Sequence, residues 1–318
     1  MSRLLGRHHR LAVCFAICRT TVEEIFQDRL LRLAAEAAFW SLLSLPPLLL
    51  ALLGLVGYVG LWFGAAALTT IHHDVLKAAN TVLTPTTVRQ NIAPLVNQLL
   101  GRGHPDLASA GFVISFWSGS AAMNAYVDAI TVAYDMDRLR SAWRRRLLAL
   151  GLYVIALVAG AILLPALALG PDVISALAPK AVTPEVSTAV HALYWPVVGA
   201  GSLVLLATLF WVAIPVRSPW WRGLPGAVFA MAVWLAGSFG IRAYLTSGLR
   251  HQSSYGPLAA PIAALLFFYV TALAVLVGAE FNSVLDVTWP HRSTAEGRRQ
   301  ALAGGGGADR AEQGRPVS

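Results

Sequence analysis

The sequence predicts an all-α integral membrane bundle of six transmembrane helices. Three observations carry this: an apolar composition, six apolar runs of spanning length, and a one-sided distribution of arginine. Of 318 residues, 57% are hydrophobic and 13% charged, with a mean hydropathy of +0.63. An average globular chain is about 25% charged. One or two soluble cores cannot hide so much apolar surface, whereas lipid accepts it.

A helix needs about 20 apolar residues to cross ~30 Å of hydrocarbon. Such runs fall at Ala34–Phe63, Leu107–Val132, Leu147–Leu169, Ala189–Ile214, Gly226–Leu245 and Pro257–Leu285. The second is diluted by Ser115, Ser118, Ser120, Asn124 and Asp128. This divides the chain into a cytoplasmic N-terminal segment (1–33), a transmembrane domain (34–285) and a cytoplasmic tail (286–318). The glycine run Gly304–Gly307 and scattered charges predict that the tail is disordered.

Within the first segment Val22, Ile25, Phe26, Leu30 and Leu33 recur at helical spacing between charges, which predicts an interfacial amphipathic helix. The first external loop also carries helical periodicity, with Ile71, Val75, Ala79 and Val82 before Thr84-Pro85 and Ile92, Leu95, Val96 and Leu99 after it.

Orientation follows from the basic residues. Arg3, Arg7, Arg10, Arg19, Arg29 and Arg32 precede the first span. Arg138, Arg140, Arg144, Arg145 and Arg146 lie between the second and third, and Arg217 and Arg222 between the fourth and fifth. Arg292, Arg298, Arg299, Arg310 and Arg315 follow the sixth. The opposite loops hold Lys77, Arg89, Arg102, Lys180 and Arg250. Eighteen against five places both termini in the cytoplasm. The net charge of +8 is thus spent beside the spans, facing anionic headgroups. No basic stripe interleaved with aromatics points to nucleic acid. Cys14 and Cys18 lack further ligands nearby and read as small apolar fillers.

Ionisable groups inside a bilayer usually face a partner, a cavity or a pathway. Ser120, Asn124 and Asp128 form a polar stripe at i, i+4 and i+8, and Glu280 and Asn282 lie late in the sixth span. These five are the expected lining of a polar cavity; the plainer reading is that Asp128 and Glu280 pair with nearby arginines. Glu36, one turn after Arg32, reads as an interfacial ion pair, and Arg242 as a snorkelling cation. Pro46-Pro47 removes two backbone donors in mid-span, which predicts a kinked or broken first helix. Gly199, Gly201, Gly237, Gly240 and Gly278 are candidates for close helix contact. Phosphate-loop, serine-elbow and zinc-protease motifs are absent. His72-His73-Asp74 diverges on a helix and is a poor metal site. No catalytic residue, cofactor or metal is expected.

Four strings in order resemble the YihY/BrkB family of bacterial inner-membrane proteins. They run Ala34–Gly57 (AAEAAFWSLLSLPPLLLALLGLVG), Phe116–Leu150 (beginning FWSGSAAMNAYVDAI), Leu224–Leu245 (LPGAVFAMAVWLAGSFGIRAYL) and Ser254–Asn282 (ending AVLVGAEFN). The resemblance implies six helices, cytoplasmic termini and a transport role; a ribonuclease label carried by some members finds no metal-ligand cluster here. Pro46, Glu36 and Arg242 depart from the family pattern. The expected function is a transporter or permease, for a lipid or envelope precursor or coupled to an ion. The alternative is a non-transporting scaffold for envelope-synthesis or division proteins.

Overall fold

The structure, a computed structural model, describes residues 19–21, 23, 29–63, 73, 76, 89, 93, 94, 105–169, 184–248 and 256–313. All the regular structure among them is helical. The long elements are α1 (Leu30–Phe63), α2 (Pro105–Ala133), α3 (Ala142–Leu169), α4 (Pro184–Ala213), α5 (Leu224–Gly248), α6 (Gly256–Thr288) and α7 (Arg292–Gln313). Short 3-10 turns, Asp137–Leu139 and Trp220–Gly223, precede α3 and α5.

Among the described residues, four segments are long and apolar enough to cross a membrane: Leu30–Leu52, Leu193–Ala213, Trp220–Tyr244 and Pro261–Thr288. Helices also form where the second and third spans were expected, as α2 and α3. Neither is among these four. Serines, Asn124 and Asp128 dilute α2, and α3 opens on Arg144–Arg146.

Two compact units divide the chain. One comprises Met1–Ala34, Met123–Gly237 and Thr271–Ser318; the other Ala35–Ala122 and Ser238–Val270. In the first, Val127, Ile130, Met136, Phe210 and Leu276 form a closed apolar core. Here α3 packs on α4, α4 on the Trp220–Gly223 turn, and α7 on the Asp137–Leu139 turn. The α5–α6 contact is backbone on backbone: a Cβ on Gly278 would lie 2.6 Å from both the Gly226 carbonyl and the Ala230 Cβ. Of the glycines expected at helix contacts, Gly278 is so used, whereas Gly199, Gly201 and Gly240 face open space.

In the second unit α1 runs unbroken through Pro46 and Pro47. The expected break is therefore absent. Proline accepts helical φ, and only the carbonyls one turn earlier lose donors. The preceding turns carry hydroxyls that bond back to the helix, Ser41 to the Ala37 carbonyl (2.7 Å) and Ser44 to that of Ser41 (2.8 Å). Such bonds bend helices rather than end them. The turn after the prolines packs closely on α2, where a Cβ on Gly111 would stand 3.0 Å from the Pro47 carbonyl.

The disordered tail expected at 286–318 is corrected over residues 286–313, and residues 314–318 lie outside the described ones. Residues 286–288 complete α6, and α7 follows. The Ser293 hydroxyl donates to the Arg217 carbonyl at 2.7 Å, and a Cβ on Gly297 would lie 2.7 Å from Val216. Tail composition reads as disorder, but small and basic residues in its first turns fit a buried surface. Arg19–Thr21 and Glu23 are helical, with an Arg19–Glu23 ion pair at 2.8 Å. Val22, Ile25 and Phe26 lie outside the described residues, as do Cys14, Cys18 and most of the first external loop. Arg29, at φ 54°, marks the start of α1.

The Gly226–Gly278 approach supplies a stability test. Gly278→Val should cost about 3 kcal/mol through overpacking, against within about 0.5 kcal/mol for Gly240→Ala, read from thermal unfolding in detergent.

A buried ion network at the arginine-rich end

The network begins at the end of α2. Asp135 adopts φ 56°, and the amides of Asp135 and Met136 donate to the carbonyls of Val132 and Thr131, both at 2.9 Å. This left-handed cap turns the chain sharply after the helix. It brings Arg140 back across the end of α4, where its guanidinium donates to the carbonyls of Ala213 (3.1 Å) and Ile214 (3.3 Å). A cation at a helix C-terminus meets the negative end of the dipole. Burial lowers the Arg140 pKa from its ordinary value, yet an arginine stays charged.

Asp286, one turn beyond Asn282 on α6, sits at the centre, 7% exposed. Arg222 donates to its Oδ1 at 2.6 Å and, through the other fork nitrogen, to the Trp289 carbonyl at 2.9 Å. On the opposite oxygen, Arg298 of α7 approaches to 3.5 Å. Arg298 also donates to the Ser283 hydroxyl (2.9 Å) and the Tyr134 carbonyl (3.2 Å), and its guanidinium stands 5.9 Å from the Tyr134 ring centre. One carboxylate thus joins α6 to the α4–α5 connection and to α7. Burial, and then the Asp286 carboxylate, push the Tyr134 phenol well above its ordinary range. It stays neutral at any physiological pH.

Beside this network Asn282 plays a structural part. Its side-chain carbonyl accepts from the Gly226 amide at 2.8 Å and its amide donates to the Gly223 carbonyl at 3.1 Å. The Gly226 amide is one of the first-turn donors of α5 that no intrahelical carbonyl can satisfy. Asn282 caps it from another helix.

A cavity of about 370 Å³ opens against this cluster, lined by Arg222, Asn282 and Asp286 together with Tyr134, Phe210, Trp211, Trp221 and Trp289. Its lining is amphipathic. Trp143, Trp221 and Trp289 are exposed beside the arginine clusters, as aromatics at a membrane–water interface are.

Of the five expected cavity residues, only Asn282 lines this space. Ser120 is buried, and its hydroxyl donates to the Trp117 carbonyl of its own helix at 2.9 Å. Asp128 pairs with Arg145 at the start of α3, as its plainer reading had it. Asn124 is half-buried on α2, and Glu280 is fully buried on α6. Glu36 and Arg242 are exposed. Sequence reasoning missed Asp286, Arg222, Arg298 and Tyr134. The available signal was Asp286 itself, an acid at i+4 from Asn282 in an apolar run, beyond where the sixth span was ended.

The sequence pattern of the virulence factor BrkB family matches residues 21–303. The chain belongs to that family. Its members are membrane proteins, in keeping with the apolar helices described above. A relative, the ribonuclease-like protein YfkH of Bacillus subtilis (strain 168), is 27% identical over 255 residues, which span 79% of this chain and 88% of YfkH. No solved structure matches. In this BrkB-family chain, no group of three or more His, Cys, Asp or Glu among the described residues is placed to hold a metal ion.

Removing the carboxylate tests the hub. Asp286→Ala leaves two arginines facing one another and should destabilise by about 3 kcal/mol, as breaking buried pairs does. Asp128→Ala, at a pair about one-third exposed, should cost under about 1 kcal/mol. Thermal unfolding of the two variants in one detergent measures the difference.

Proposed function

We propose that this chain is a transporter or permease of the bacterial cytoplasmic membrane, with six spans and both termini in the cytoplasm. In this reading α2 and α3 complete the six. The arginine excess then places the Asp286 network and its cavity at the cytoplasmic face.

The observation that carries the reading is a buried carboxylate held between two guanidinium groups at the wall of an amphipathic cavity. Buried charge is a weak means of stabilisation, since a packed apolar replacement often does as well. Charge at membrane depth is instead common where ions, protons or substrates pass. The arrangement is also chemically switchable. An anionic group entering the cavity competes with Asp286 for Arg222, which loosens the tie from α6 to the α4–α5 connection. Glu280 lies about 9 Å further along α6 and is the proposed continuation inward. An anionic amphiphile, such as a lipid or envelope precursor, matches a cavity lined by both arginine and tryptophans.

The test uses protein reconstituted in liposomes, with flux of protons and of a fluorescent anionic lipid analogue followed across pH 5–8. Wild type should carry at least one of them. Arg222→Gln, Glu280→Gln and Asp286→Asn should each lower that flux at least tenfold. Flux equal to that of empty liposomes, with the cellular phenotype kept when these charges are neutralised, would leave the scaffold reading in its place.

A further inference from the structure

A second cavity, of about 720 Å³, runs along α3 and α4. None of its residues lines the Asp286 cavity, so a ligand held there does not depend on the transport reading. On α3 the lining recurs at helical spacing from Arg144 to Gly160, and on α4 it runs from Leu205 to Val212. Sixteen residues of helix correspond to about 24 Å, which exceeds the ~15 Å depth of one leaflet, half the hydrocarbon core. Gly151 and Gly160 open the trench, and a Cβ built on Gly151 meets nothing within 4 Å.

The lining is apolar except at two places. The Thr208 hydroxyl donates to the Val204 carbonyl at 2.7 Å and accepts the Trp220 indole at 3.2 Å. It is satisfied within the protein. Arg144 is the single charged lining residue and lies at the mouth, in the first turn of α3. Its neighbour Arg145 is engaged by Asp128. Trp143, 77% exposed, sets this turn at the level of the headgroups. An apolar trench at membrane depth offers water no partners, so hydrocarbon fills it. A guanidinium at its mouth selects the headgroup.

We propose that the α3–α4 trench is a binding site for one anionic phospholipid, with an acyl chain along α3 from Leu147 to Gly160 and the phosphate on Arg144. Such a site differs from the general lipid annulus in having one stoichiometric occupant and a headgroup preference.

Native mass spectrometry of the full chain in mild detergent, titrated with phosphatidylglycerol or phosphatidylcholine, tests it. Wild type should retain one phosphatidylglycerol in preference to phosphatidylcholine. Arg144→Gln should reduce that preference about fivefold, the effect of one interfacial cation, whereas Arg299→Gln, a neutralised arginine elsewhere on the surface, should leave it unchanged. Gly151→Phe fills the trench and should lower occupancy by either lipid. Should that variant fold poorly, Ile155→Trp in the same trench gives the same readout. Equal retention of the two lipids by wild type, a preference that survives Arg144→Gln, or full occupancy in the filled trench would each overturn the proposal.

Discussion

The first unit is organised around one carboxylate. Asp286 is buried, accepts a hydrogen bond from Arg222 on one oxygen and faces Arg298 as an ion pair on the other, so its position on α6 fixes where the α4–α5 connection and α7 can lie. The constraint is electrostatic. A carboxylate removed from water needs compensating charge close by, and two guanidinium groups supply it, Arg222 through a direct hydrogen bond as well. Because those arginines also reach the carbonyls of Trp289 and Tyr134, the ends of α6 and α2 are tied into the same cluster.

The remaining contacts of the unit are compatible with that hub because backbone approaches backbone. Gly226 and Gly278 let α5 and α6 touch without side chains between them, and Asn282 uses the closeness to satisfy the first turn of α5. Where no such approach is needed, as at Gly199 and Gly240, glycine leaves open space. The same residue type thus serves close packing at one position and leaves a gap at another.

The arrangement brings a wet, charged end and a dry flank together in one unit. At the arginine-rich end, charge, tryptophan and a cavity meet. Along α3 and α4 the surface is apolar down to a single arginine at its mouth. The arginines before and at the start of α3 are divided in use: Arg145 is taken by Asp128, Arg140 by the end of α4, and Arg144 borders the trench.

Composition and periodicity determined that the chain is helical, apolar and suited to a membrane, and the glycine at 278 and the pairing of Asp128 were legible from residue type and spacing. These depend on what lies within one or two turns, or on a bulk property of the chain. The tertiary structure decided what sequence spacing could not. Asp286 and Arg298 read as tail residues until α6 was extended and α7 was laid against Met136 and Val216. Pro46-Pro47 read as a break, but the helix continues, with hydroxyls on the turns before the prolines and close packing on Gly111 just after them. Partners 64 residues apart, as Arg222 and Asp286 are, leave no periodic trace in a single sequence, because only the folded chain sets their distance.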